Sequence, residues 1–186
     1  MPMRVIAGSA KGRQLKRVPG TGTRPIMDRV KEALFSILGE NIREAAFLDL
    51  YAGTGSVGIE ALSRGADYAV FVETARAALK TIQENLEITQ FEDFAQIVRQ
   101  DARDYLRRDA ERAFEFIYIA PPQYQQLWLE TLLLLDSNPN HLALDGVAIV
   151  QIDPQEKQAV TLNTLVASDE RRYGNTLLCF FERPGE

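Results

Sequence analysis

Between Phe47 and Gly58 the chain reads Phe-Leu-Asp-Leu-Tyr-Ala-Gly-Thr-Gly-Ser-Val-Gly, an apolar run that ends in an acid and then turns through closely spaced glycines. The run has the length and composition of a buried parallel strand. The glycines let the backbone bend sharply and approach a ligand with no side chain in the way. A second apolar run, Tyr68-Ala-Val-Phe-Val-Glu73, closes on an acid 20 residues after Gly53. That is where nucleotide-binding strand-helix-strand units place the carboxylate that grips a ribose. Two acids at two strand ends point to a nucleoside ligand.

From residue 45 onward strand-like and helical patterns alternate through short loops, which predicts a mostly parallel sheet covered on both sides. Strands are expected near 46–50, 68–73, 95–99, 114–119, 146–152, 163–168 and 176–182, with helices filling the gaps, most clearly at 56–64, 75–88 and 124–135. Only Asp169 to Asn175 separates the last two strands, too short for a helical crossover, so they should form an antiparallel hairpin. Upstream, Arg4-Val-Ile-Ala and Arg13-Gln-Leu-Lys-Arg-Val flank a glycine-bearing loop and read as a hairpin, and Pro19-Gly-Thr-Gly22 breaks the chain. Pro25, Asp28 and Gly39 then bound an amphipathic helix with Val30, Ala33, Leu34, Ile37 and Leu38 on its apolar face and Arg29, Lys31 and Glu32 opposite. The expected division is an arm, residues 1–22, and one α/β domain, residues 23–186. This arrangement resembles the class I methyltransferase fold, a Rossmann-like seven-stranded sheet with its last strand antiparallel.

Gly53-x-Gly55-x-x-Gly58 also satisfies the dinucleotide fingerprint. Asp49 weighs against that reading, since a carboxylate beside the turn repels a pyrophosphate. S-adenosyl-L-methionine carries a sulfonium and an ammonium and no phosphate, so the acid suits it, and it is the expected cofactor. Asp101, after the third strand, extends the series: Asp49, Glu73 and Asp101 would read the methionine end, the ribose and the adenine amine. Tyr51, Ala52, Gly53, Thr54, Gly55 and Ser56 of the turn, with Thr74 and Ala102, complete the candidate pocket. A nicotinamide-dependent oxidoreductase is the rival favoured by the glycine spacing.

Net charge is −5 over 186 residues, yet residues 1–31 hold eight Lys or Arg and one acid, +7, which leaves −12 for the rest. A basic arm on an acidic body suggests an anionic partner, most simply nucleic acid. Arg4, Lys11, Arg13, Lys16, Arg17, Arg24 and Arg29 are the candidate RNA contacts. The lone Cys179 reads as a core residue, and no apolar stretch has the length of a membrane span. A cytoplasmic monomer is expected. His141 has no second ligand at metal spacing, so no metal site is expected, and it reads as a loop residue. Trp128 reads as core, and Asp153-Pro154 as the start of a short helix.

The fourth strand ends in Ala120-Pro121-Pro122-Gln123-Tyr124. Two prolines fix the backbone and remove two donors, leaving the Ala120 and Pro121 carbonyls as a rigid acceptor ledge suited to an amine nucleophile. Tyr124 or Tyr118 could stack on a base.

Thr23-Arg-Pro-Ile-Met-Asp-Arg-Val-Lys-Glu-Ala-Leu-Phe-Ser-Ile-Leu38 and Asp49-Leu-Tyr-Ala-Gly-Thr-Gly-Ser-Val-Gly-Ile-Glu-Ala-Leu-Ser-Arg-Gly-Ala66 together resemble the bacterial 16S rRNA guanine-N2 methyltransferase family of RsmD type. The start, Met3-Arg-Val-Ile-Ala-Gly with Lys11-Gly-Arg-Gln-Leu15, is similar to that family's N-terminal segment. The resemblance implies methyl transfer from S-adenosylmethionine to the exocyclic amine of a guanine in small-subunit ribosomal RNA, free or assembled. The family's motif after the fourth strand is Asp-Pro-Pro-aromatic, whereas here Ala120 replaces the acid and Gln123 the aromatic. Gln123 could supply an amide oxygen, the substrate could differ, or the chain could be a silent RNA-binding relative.

Overall fold

β1 (Ala46–Leu50) is buried at every residue, as a central parallel strand must be. It pairs in parallel with β2 (Tyr68–Glu73), Asp49 opposite Phe71, and β2 pairs in parallel with β3 (Ala95–Arg99). The computed structural model describes residues 2–20 and 25–186. Arg24, expected at the RNA surface, and the expected arm boundary at residues 22 and 23 lie outside them. The chain divides into two compact units, Met1–Gln100 and Asp101–Glu186.

In the first unit the strand order is β3-β2-β1. α1 (Asp28–Leu38) precedes the strands, α2 (Ser56–Ser63) links β1 to β2, and α3 (Arg76–Thr89) links β2 to β3. All eight residues of α2 are buried. Gly58 permits this, because a Cβ there would lie 2.4 Å from the Phe71 ring. The third glycine of the turn motif is thus spent on helix-to-sheet packing.

The expected face of α1 needs correction. Lys31 is 1 % exposed instead of solvent-facing, and the buried stripe runs through Val30, Lys31, Leu34, Phe35 and Leu38. The cause is Glu60 on α2, itself fully buried, whose carboxylate lies 3.4 Å from the Lys31 ammonium.

The arm turns back on itself through one antiparallel bridge, Arg4 with Gln14, and not through two full strands. It rests on α2: the Ile6 and Ala7 N–H groups donate to Glu60, and the Ala10 N–H donates to the Ser63 hydroxyl. Gly8, at φ +89°, sits so close that a Cβ would lie 1.8 Å from the Ser63 carbonyl oxygen. Met3, Val5, Ala10 and Leu15 are buried, while Arg4, Lys11, Arg13, Lys16 and Arg17 stay exposed.

The second unit holds α4 (Ala102–Arg107), β4 (Phe114–Ile119), α5 (Leu127–Ser137), β5 (Leu142–Ile152), β6 (Val166–Tyr173) and β7 (Thr176–Glu182), with strand order β4-β5-β7-β6. β4 and β5 are parallel, and β7 runs antiparallel between β5 and β6. The seven expected strands are all present, with the antiparallel last strand and terminal hairpin as expected. β5 begins four residues early, because Asp145 (φ 63°) and Gly146 form a bulge and not a turn. β6 runs through the charged segment Asp169–Arg172 that reads as loop in sequence, since an exposed edge strand tolerates charge. α4 fills the gap between β3 and β4, where a helix was expected without stated bounds.

Trp128 and Cys179 are buried, as expected, and burial pushes the Cys179 thiol up to about 11. His141 is a correction: it is 2 % exposed, with Nε2 donating to the Leu106 and Arg108 carbonyls. Burial lowers its pKa, so the ring is a neutral packing element. Among the described residues no helix is long and apolar enough to cross a membrane.

Candidate functional site

The turn after β1 is built by backbone conformations that few residues adopt. Tyr51 (φ 62°), Gly53 (φ 58°) and Gly55 (φ 80°) are all left-handed, and Gly55 opens α2. Five of its amides are already engaged. The Ala52 N–H donates to the Val72 carbonyl, Gly55 to the Ala52 carbonyl, Ser56 to the Thr54 hydroxyl and Gly58 to the Asp49 carboxylate. Gly53 donates to Glu73. A pyrophosphate would need such amides free, so the turn does not offer the anion cradle of a dinucleotide site.

The acids fit a cation instead. Asp49 is 1 % exposed, and burial, reinforced by the charge of Glu73, holds its carboxyl well above the usual carboxylate range against the pull of the Gly58 N–H. It ties the first turn of α2 to the end of β1 and supplies negative field when ionised. Glu73 is half-buried, also raised by burial, and accepts from the Thr74 N–H at 2.9 Å. Partly exposed at a strand end, it has the acceptor chemistry a ribose diol needs. Two carboxylates raised by burial are stabilised by an incoming positive charge.

In the second unit Asp101 caps α4, accepting from the Arg103 N–H at 2.8 Å, and its carboxylate also holds the Arg103 guanidinium at 3.0 and 3.1 Å. The Arg103 contacts, foremost its side-chain hydrogen bonds, lower its pKa. An adenine amine would have to share this carboxylate with Arg103. Ala102 is buried in the first turn of α4.

β4 delivers Ala120 and Pro121 half-buried and Pro122, Gln123 and Tyr124 exposed. Tyr118 is not available for stacking: it is 3 % exposed, and its hydroxyl donates to Gln151 on β5. Tyr124 is 62 % exposed, at φ 62°, and is held in place. Its hydroxyl donates to Asp153 at 2.8 Å and its N–H to Glu156 at 2.7 Å. Asp153 and Glu156 themselves form a capping box around the short helix Pro154–Glu156, the helix start expected at Asp153-Pro154. The Asp-Pro-x-Glu spacing announces the cap, but nothing in the sequence links it to Tyr124.

Of the arm cations, Arg4 pairs with Asp28 at 3.4 Å, Lys16 with Glu84 at 3.3 Å, and Arg13 donates to the Ile88 carbonyl at 2.8 Å. Lys11 and Arg29 are exposed.

A family model described as Conserved hypothetical protein 95 matches residues 3–182. The chain belongs to this family, the RsmD family. Within the family it is 38% identical over 98% of its length to the whole of a Bacillus subtilis (strain 168) protein named "Putative rRNA methyltransferase YlbH". It is 31% identical to "Ribosomal RNA small subunit methyltransferase D" of Haemophilus influenzae, covering 92% of this chain and 89% of the relative. Among solved structures, "Putative methyltransferase yhhF from Escherichia coli" superposes with a TM-score of 0.88 at 30% identity over all of both chains.

Proposed function

We propose that the chain is an S-adenosylmethionine-dependent methyltransferase acting on ribosomal RNA of the small subunit, with the exocyclic N2 amine of a guanine as acceptor. The observation that carries this reading is the glycine turn, five of whose amides are satisfied internally and whose neighbours are two carboxylates raised by burial. The names of the family relatives supply the substrate class. The chain acts in the cytoplasm as a monomer.

When bound, S-adenosylmethionine supplies a methyl group already activated on a sulfonium, so the protein's task is placement. Tyr51 to Ser56 form the wall of the cofactor site, Asp49 contributes negative field, Glu73 and Thr74 take the ribose, and Asp101 with Ala102 face the base. The Ala120 and Pro121 carbonyls accept from the amine N–H groups, which orients the nitrogen lone pair away from them. The Pro122 ring keeps the ledge rigid, Gln123 assists as an acceptor, and Tyr124 stacks on the guanine. Arg4, Lys11, Arg13, Lys16, Arg17, Arg24 and Arg29 hold the RNA backbone. Transfer of tritium from labelled cofactor into 16S ribosomal RNA or small subunits tests the reading, with mass spectrometry locating the label on guanine N2. Label on another base would overturn the acceptor assignment.

Ala120 favours a second reading, a silent relative that binds cofactor and RNA without turnover. Cofactor binding with no tritium incorporation would establish it. Gln123→Ala in single-turnover methylation reports on the missing acid: a slower rate assigns the acceptor role to Gln123, and an unchanged rate leaves the two carbonyls alone.

A further inference from the structure

Asn85 is polar, lies on the inner side of α3 and is fully buried. Its amide is saturated by two partners far apart in sequence. Oδ1 accepts from the Lys16 N–H at 2.7 Å, and Nδ2 donates to the Lys16 carbonyl at 3.0 Å and to the Thr54 carbonyl at 2.9 Å. Lys16 belongs to the arm and Thr54 to the glycine turn. A second tie runs the same way, the Thr54 hydroxyl donating to the Met3 sulfur at 3.7 Å. The same hydroxyl accepts from Ser56, the first residue of α2. While its backbone is clamped by Asn85, the Lys16 side chain reaches out to Glu84 and lines a groove with Arg17, Pro19 and Lys80.

We propose that Asn85 is a positioning residue that makes the basic arm part of the methyl donor's site. It holds the Thr54 carbonyl, and with it the left-handed turn, in the shape the cofactor requires. The inference rests on the cofactor reading above. A buried amide joining two backbone segments costs much if either is lost, because each orphaned donor or acceptor stays unpaired. Arm and turn therefore hold their arrangement together. By reciprocity, RNA that fixes the arm raises cofactor affinity by the factor with which cofactor raises RNA affinity.

The test is calorimetric titration of the full chain with S-adenosylhomocysteine, on folded variants verified by thermal melts. Asn85→Asp keeps the acceptor for Lys16 but turns a carboxylate oxygen toward the Thr54 and Lys16 carbonyls. It should weaken binding at least tenfold and raise KM for the cofactor far more than it changes kcat. Gly8→Ala pries the arm from Ser63 at the other end of α2, about 12 Å from the turn at 1.5 Å per residue, and should weaken binding in the same direction. If Asn85→Asp does not fold, Gly8→Ala carries the test. Wild-type affinity in either folded variant would overturn the inference. Absence of binding by the wild type would instead overturn the cofactor reading on which it rests.

Discussion

The Lys31 ammonium and the Glu60 carboxylate lie 3.4 Å apart with side chains 1 % and 0 % exposed, in a chain where most charge is solvated. Glu60 also accepts from Ile6, Ala7 and Arg64, and Lys31 donates to the Arg4 carbonyl. This cluster fastens the arm to α1 and α2. Without Lys31 the buried Glu60 keeps Arg64 and the two backbone donors but loses its second cation, and the Arg4 carbonyl loses its donor, so Lys31→Met should destabilise the fold by about 1–3 kcal/mol. Urea denaturation measures it, and a loss below about 1 kcal/mol would mean the pair contributes no more than a surface ion pair.

Tyr124 should separate RNA chemistry from cofactor binding. Stacking on a base contributes about 1–3 kcal/mol, so Tyr124→Ala should lower methylation roughly 5- to 150-fold with cofactor affinity unchanged. Tyr124→Phe keeps the ring but loses the bond to Asp153 and should fall between. Equal rates for Ala and wild type would remove Tyr124 from the site.

The raised carboxylates set a pH dependence whose sign is fixed. Asp49 and Glu73 take up protons above the usual carboxylate range, and a cationic ligand prefers them ionised. Affinity for S-adenosylmethionine should therefore fall as pH drops from neutrality toward that range, and binding there should release protons. Uncharged at sulfur, S-adenosylhomocysteine should show a weaker dependence. Titrations in buffers of different ionisation enthalpy report the proton release; proton uptake would contradict the assignment.

The arm's exposed cations should control RNA affinity by counterion release. Neutralising Arg13, Lys16 and Arg17 together should flatten the slope of log affinity against log salt by up to about 2, at about 0.7 per phosphate for single strands. Without RNA, cofactor affinity should stay nearly unchanged, because Asn85 holds Lys16 by its backbone. Filter binding across salt concentrations checks it, and an unaltered slope would reduce the arm to a structural element.

Much of this architecture is legible because β1 and β2 are buried on both faces and announce themselves as unbroken apolar runs. The hairpin of β6 and β7 follows from loop length alone. What escapes the sequence depends on partners distant along the chain. Lys31 looks solvent-facing until Glu60 is brought beneath it, and Asn85 resembles any helix polar residue until Lys16 and Thr54 meet it. Only the charged half of β6 is hidden, because an edge strand needs no apolar alternation. The acids at the strand ends were visible, but their division of labour was not: Asp49 is committed in part to Gly58 and Asp101 to Arg103.

The central claim is that the glycine turn receives a cationic nucleoside and not a dinucleotide. Calorimetric titration of the folded chain with S-adenosylmethionine, S-adenosylhomocysteine and NAD tests it most directly. The account predicts one-to-one binding of the first two and none of the third. Binding of NAD, or no heat with either adenosyl compound, would contradict it.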